Sequence, residues 1–269
     1  MNFKEIISNN NLNEVTEIFR YASTEASKKI IEIYESDFTT SYKNDKSPLT
    51  IADIESNNII LKILEREFNN IPIVSEESEI PNAKNMLEFI LVDPLDGTKE
   101  FINKNGEFTV NIALIKNNNP ICGVIDCPVK NIQYFSNGEN SYKFSGKKKK
   151  KISIKKQKNI TFTLSRSHLD SQTRNFVKLE RNKEIISKGS SLKFCLIAEG
   201  KADIYPRYGK TMEWDIAAGH SILKTAGGMV LDHNLKSMKY GKENFMNSSF
   251  IALNIPIQKM LNHFKEIEY

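Results

Sequence analysis

The apolar run Phe89-Ile90-Leu91-Val92 stops at Asp93-Pro94-Leu95-Asp96-Gly97-Thr98, and no other segment restricts the fold as much. Consecutive large apolar residues bounded by turn formers read as a buried strand. Pro94 lacks a ladder donor and Gly97 admits unusual backbone, so the chain is expected to turn there rather than continue the strand. Asp93 and Asp96 then stand three residues apart at a strand's end, where both can point into one space. Crowded carboxylates repel each other unless a cation neutralises them, and Mg²⁺ prefers such oxygens together with water and phosphate. The same residues also read as an ordinary Asp-Gly turn, and this segment alone does not decide between the two.

The surrounding pattern alternates helices with strands. Leu12, Val15, Phe19, Ala22, Ala26, Ile30 and Ile33 recur at steps of three and four, which predicts one amphipathic helix in the first forty residues. Ile54, Leu61, Leu64 and Phe68 predict a second, reached through a polar turn marked by Asp45 and Pro48. Apolar runs at 71–74, 89–92, 108–115 and 123–129 predict strands. A second set follows: strands at ITFTLS, ADIYP and MVLD, and helices near 170–180, over Ser191 to Ala198 and over Asp215 to Thr225. This is an α+β chain in layers, read as two fused α/β halves, 1–155 and 156–269.

Composition narrows the function classes. The chain has 269 residues, 39% of them hydrophobic and 26% charged, enough for a sizeable core. MNFKEIISNN has no apolar stretch resembling a signal peptide, and nowhere do eighteen apolar residues run together. A soluble cytoplasmic chain is expected, with peripheral attachment to an inner membrane left open. Cys122, Cys127 and Cys195 lack disulfide or zinc spacing and read as buried, reduced thiols. The net charge of +5 is local: residues 147–158 hold eight lysines and no acid, leaving the rest net acidic. Lys147 to Lys151 read as a solvated loop after a hairpin, with no interleaved aromatics to stack on bases, so no nucleic-acid partner is expected.

Further acids stand at element ends. Glu76 follows the IPIV strand, Asp53 opens the second helix and Asp215 opens a later one. Each alone reads as a helix cap or turn residue. Carboxylates converging from separate segments could instead hold Mg²⁺ ions that bind a phosphate and activate water.

The run LVDPLDGTKEFINKNGEFTVNIALI, with SEES before it and WDIAAGHSILKTAGG after it, resembles the inositol monophosphatase superfamily. DGTKEFINKNGEFTVNIALI, LSRSH, GSSLKFCLIAEG and YPRYG resemble its CysQ-type 3′(2′),5′-bisphosphate nucleotidase branch. That resemblance implies a layered αβαβα sugar-phosphatase fold. It also implies lithium-sensitive, Mg²⁺-dependent hydrolysis of 3′-phosphoadenosine 5′-phosphate to AMP during sulfur assimilation. Inositol monophosphatase or broader sugar-phosphate activity is the alternative.

By the same resemblance, Glu76, Asp93 and the Leu95 carbonyl hold one metal, and Asp93, Asp96 and Asp215 a second. Asp53 with Glu76 completes a third, for two or three ions in all. Thr98 and Asp53 are the catalytic pair that orients the attacking water and takes its proton. Gly97 and Thr98 open a short helix whose N–H groups face the phosphate. Ser190, Lys193 and Arg207 contact the nucleotide and its second phosphate, and His168 lies near the base or ribose. Inositol-directed relatives tend to carry an acid where Arg207 stands. Glu77 is expected to point away from Glu76, and Glu213 has no assigned role. Oligomeric state, monomer or homodimer, is left open.

Overall fold

The computed structural model describes residues 11–43, 48–82, 86–155, 158–254 and 258–266. The turn expected at Asp45 and the junction between the halves at residues 156 and 157 lie outside them.

The first apolar stripe forms α1 (Leu12–Tyr34), which buries Val15, Phe19, Ala22, Ala26, Ile30 and Ile33. A short antiparallel hairpin, β1 (Thr40–Tyr42) and β2 (Pro48–Thr50), leads into α2 (Ile51–Glu67). A capping box starts that helix: the Thr50 hydroxyl accepts from the Ala52 N–H, and Asp53 accepts from the Thr50 N–H. Just past its end Phe68 meets Phe19 edge-on at 5.7 Å. Each ring so buried contributes about 1.5–3 kcal/mol.

α1 and α2 cover one face of a seven-stranded sheet. It runs β3 (Ile73–Ser75), β4 (Glu88–Asp96), β5 (Thr109–Lys116), β6 (Asn119–Cys127), β7 (Ile132–Ser136), β8 (Ser141–Ser145) and β9 (Lys148–Ile152) in that order. β3 and β4 are parallel, and every later pair is antiparallel. After β4, Thr98–Ile102 forms the short α3. The chain continues through β10 (Ile160–Ser165), α4 (Ser171–Lys178), β11 (Lys183–Lys188), α5 (Leu192–Ala198), β12 (Ile204–Arg207) and β13 (Thr211–Met212). It ends with α6 (Glu213–Thr225), β14 (Met229–Asp232), β15 (Met246–Asn247), β16 (Phe250–Leu253) and α7 (Gln258–Glu266).

Strand alternation sorts the cores. Ile90, Val92, Val110, Ile112 and Leu114 pack under α1 and α2. Phe89, Leu91, Ala113 and Ile115 face the other way, onto α5 and α6. Tyr205, Val230, Phe250 and Ala252 of a second sheet, ordered β11-β10-β12-β16-β14, close the far side of those helices. Its outer face buries Phe162, Ile204 and Leu253 against Phe176 of α4 and Phe264 of α7. The layers run αβαβα, the α+β arrangement expected.

Two local expectations are corrected. β4 does not end at Val92: it continues through Pro94 to Asp96, with irregular register between Asp93 and Asp96. A bulge needs no ladder N–H at that point, so proline is tolerated there. The lysine run is not a loop. Lys148–Ile152 pairs with β8 from Ser145↔Lys148 to Ser141↔Ile152, as the last strand of the sheet. Pairing to a neighbour overrides lysine's poor strand preference, and charge on an open edge discourages a further strand.

Candidate metal centre and substrate cleft

β3 and β4 lie side by side and parallel, so their C-terminal ends open on the same side of the sheet. β3 ends at Ser75, which puts Glu76 beside the bulge that carries Asp93 and Asp96. α6 brings Asp215 in its first turn. Carboxylate oxygens of Glu76, Asp93 and Asp215 all lie within 4.8 Å of one another. Trp214 Nε1 donates to Glu76 Oε2 at 3.1 Å, the Leu95 N–H to Asp93 Oδ1 at 3.1 Å, and the Met212 N–H to Asp215 Oδ2 at 2.8 Å. These bonds fix the carboxylates without neutralising them.

Asp96 borders this trio with its Oδ2 engaged, accepting from the Ser191 N–H at 2.6 Å and from Asn111 Nδ2 at 3.2 Å. Gly97 follows at φ +97°, a left-handed conformation open to glycine, and turns the chain into α3. Thr98 then donates from Oγ1 to Asp53 Oδ1 at 3.0 Å, while Asp53 Oδ2 caps α2. Thr98 and Asp53, which the family resemblance pairs, are therefore in hydrogen-bond contact.

The electrostatics of the cluster favour a cation. Burial, then the charges of Glu76, Asp96 and Asp215, push the Asp93 carboxyl well above its usual range. Burial, then Asp96 and Glu76, do the same to Asp215. Burial raises Asp96 to about 6 against the pull of Lys193 and Asn111, and burial raises Asp53 against hydrogen bonds from Thr50 and Thr98. Carboxylates held so close, and in each of these cases disfavoured as anions by burial, are a hard-oxygen donor set that a divalent ion relieves.

Glu76, Asp93, Asp96 and Asp215 line a cleft of about 600 Å³ together with His168, Ser190, Lys193 and Arg207. Lys193 and Arg207 are 4% and 8% exposed, and neither has a carboxylate salt bridge among the described residues. Arg207 is not a surface residue. Its guanidinium is gripped by the carbonyls of Gly209, His168 and Lys210. Lys193 Nζ donates to the Ser190 carbonyl, and burial lowers its pKa to about 8. Ser190, at φ +46°, keeps a buried hydroxyl with no hydrogen-bond partner among the described residues. Burial, then Lys99, Arg207 and Lys193, lowers the His168 imidazole to about 4, so it is neutral at pH 7.

Several residues of the site carry no signal in the sequence. Lys43 reaches Glu76 Oε1 at 2.8 Å and Glu77 Oε1 at 2.5 Å. Strand alternation has ended at Ser75, so Glu77 shares a cation with Glu76 instead of pointing away from it. Glu213, fully buried, accepts from the N–H groups of Gly241 and Lys242 and pairs with Lys242 Nζ at 2.7 Å, which ties that loop to the start of α6. Glu107 accepts from both Arg166 Nε and Nη2, from Lys188 Nζ and from the Gly189 N–H.

The sequence profile described as "Inositol monophosphatase family" matches residues 11–267. The chain belongs to that family. Within the family it resembles the CysQ-type members. The "3′(2′),5′-bisphosphate nucleotidase CysQ" of Buchnera aphidicola subsp. Acyrthosiphon pisum is 43% identical over 232 residues, covering 83% of this chain and 87% of the relative. The protein of the same name from Escherichia coli K12 is 41% identical over 213 residues, 77% of this chain and 86% of the relative. Among solved structures, CysQ from Bacteroides thetaiotaomicron superposes with a TM-score of 0.80 at 39% identity, covering 89% of this chain and 97% of that one. Among the described residues, no helix is long and apolar enough to cross a membrane.

Proposed function

We propose that this chain is a Mg²⁺-dependent 3′(2′),5′-bisphosphate nucleotidase that hydrolyses 3′-phosphoadenosine 5′-phosphate to AMP and phosphate, recycling that nucleotide in sulfur assimilation. One juxtaposition carries the reading: the trio Glu76, Asp93 and Asp215 shares a single cleft with two buried cations that have no carboxylate salt bridge among the described residues. A substrate with one phosphate at the acids and a second at Lys193 and Arg207 satisfies both groups of residues. The names of the most similar relatives support the same chemistry.

Bound Mg²⁺, two or three ions, supplies charge neutralisation at the reacting phosphate and lowers the pKa of the attacking water. Glu76, Asp93 and the Leu95 carbonyl would hold one ion, Asp93, Asp96 and Asp215 a second, and Asp53 with Glu76 a third. Thr98 donates its proton to Asp53, which leaves its oxygen lone pairs free to accept from the water and aim it at phosphorus. Burial makes Asp53 a stronger base than an ordinary carboxylate, suited to draw the water's proton through Thr98. The new P–O bond forms as the bond to the ribose oxygen breaks in line, and that oxygen leaves with a proton from solvent. No covalent phospho-enzyme is involved.

Arg207 has five N–H donors, of which three are tied to carbonyls, leaving two for the second phosphate. The Ser190 hydroxyl, unpartnered among the described residues, is a further donor there. Steady-state phosphate release in Mg²⁺ tests the reading. 3′-Phosphoadenosine 5′-phosphate is expected to exceed inositol 1-phosphate in kcat/KM by at least about 100-fold, since charge-assisted bonds to the second phosphate are worth roughly 1.5–3 kcal/mol each. Arg207→Met should remove most of that preference. Equal rates on the two substrates would overturn the nucleotide assignment.

A further inference from the structure

Glu100 is an acid in a cleft that must receive phosphates, and none of the steps above uses it. It stands in the first turn of α3, two residues beyond Thr98, lines the cleft, and is 3% exposed. Its position is fixed from two sides. Ser167, from the opposite half of the chain, donates to Oε1. The backbone of Gly189 presses on the side-chain stem: a Cβ built at Gly189 would fall 2.6 Å from Glu100 Cγ, so only glycine lets the two approach. Oε2 lies over Gly97, 3.3 Å from where a Cβ there would stand, and receives no hydrogen bond among the described residues.

A carboxylate with one oxygen tied and the other open in the cleft repels a phosphate and seeks a neutral donor. Its open oxygen sits beside Gly97, the residue before Thr98, at the end of the cleft where the proposed function puts the reacting phosphate. On a ribose, the neutral donor nearest a reacting 3′-phosphate is the adjacent 2′-hydroxyl. We propose that Glu100 Oε2 accepts a hydrogen bond from the ribose hydroxyl vicinal to the scissile phosphate, making Glu100 a specificity-determining residue that selects ribonucleotides over deoxyribonucleotides. The assignment rests on the bisphosphate nucleotidase reading. A substrate without that hydroxyl leaves a buried charged acceptor unpaired, which is the strongest form of rejection a polar site can offer.

The test compares 3′-phosphoadenosine 5′-phosphate with 3′-phospho-2′-deoxyadenosine 5′-phosphate in Mg²⁺, on wild type, Glu100→Gln and Glu100→Ala. Wild type is expected to favour the ribonucleotide by about 10- to 100-fold in kcat/KM, the range for a hydrogen bond to a charged group. In each variant that melts cooperatively, the ratio should fall below about 3-fold. Wild type hydrolysing both substrates equally would refute the role of Glu100 and leave the nucleotidase reading standing. Variants that lose activity on both substrates in equal proportion, with the ratio intact, would make Glu100 structural and refute the proposal. Wild type hydrolysing neither would remove the nucleotidase reading and this inference with it. If neither variant folds, a wild type that hydrolyses both substrates equally still refutes the proposal.

Discussion

Asp53 divides its carboxylate between two tasks: Oδ2 closes the cap of α2, and Oδ1 accepts from Thr98 inside the site. Asp215 does likewise, holding the Met212 N–H at the start of α6 while its charge joins the acidic trio. An acid doing a cap's work is what each looks like in sequence, and the cap reading is true as far as it goes. Glu107 belongs to a different kind. Burial works against its carboxylate, but Arg166, Lys188 and the Gly189 N–H outweigh burial and hold its pKa down to about 2 from 4.5. A depressed carboxyl stabilises the fold above its unfolded pKa and loses that contribution as pH falls through the folded one. Thermal melts of wild type and Glu107→Gln in metal-free buffer should therefore differ most above about pH 5 and converge towards pH 2. A gap in Tm that is the same at every pH would show that the charge of Glu107 contributes nothing. Such residues are invisible to local reading because their partners are remote: Arg166 is 59 positions from Glu107, and Trp214 is 138 from Glu76.

At the scale of elements, the long stripes and apolar runs were legible because burial acts through simple periods. α1 follows its steps of three and four, and β4, β5 and β6 follow their apolar runs. β9 was not, because its four lysines carry no strand pattern and only pairing with β8 makes them a strand. The bulge in β4 was also hidden, since proline and glycine signal a break without saying whether the ladder resumes. The lysines of β9 are exposed on the sheet's outermost strand, where charge keeps two molecules from joining edge to edge. Lys148→Thr together with Lys150→Thr should raise self-association in sedimentation velocity at high concentration, with Mg²⁺-dependent turnover retained. An unchanged sedimentation profile would mean that the edge is guarded by something other than charge.

At the scale of the whole molecule, the site exists because two sheets and the helices between them end at one cleft. The seven-stranded sheet contributes Asp93 and Asp96, α6 contributes Asp215, and β12 of the second sheet contributes Arg207. The sequence shows acids at element ends, but their convergence depends on strand order and on where α6 lands, neither of which spacing encodes. Resemblance to a known family supplied that link, and the family assignment over residues 11–267 agrees with it. The central claim is that the clustered acids make this cleft a metal-dependent phosphatase centre, and Asp93 stands in the middle of the cluster. The direct measurement is the steady-state rate of phosphate release from 3′-phosphoadenosine 5′-phosphate by Asp93→Asn in saturating Mg²⁺. A folded variant should lose at least about 10³-fold in kcat, because several kcal/mol of transition-state stabilisation depend on that carboxylate. Turnover close to that of wild type would contradict the metal-centred mechanism.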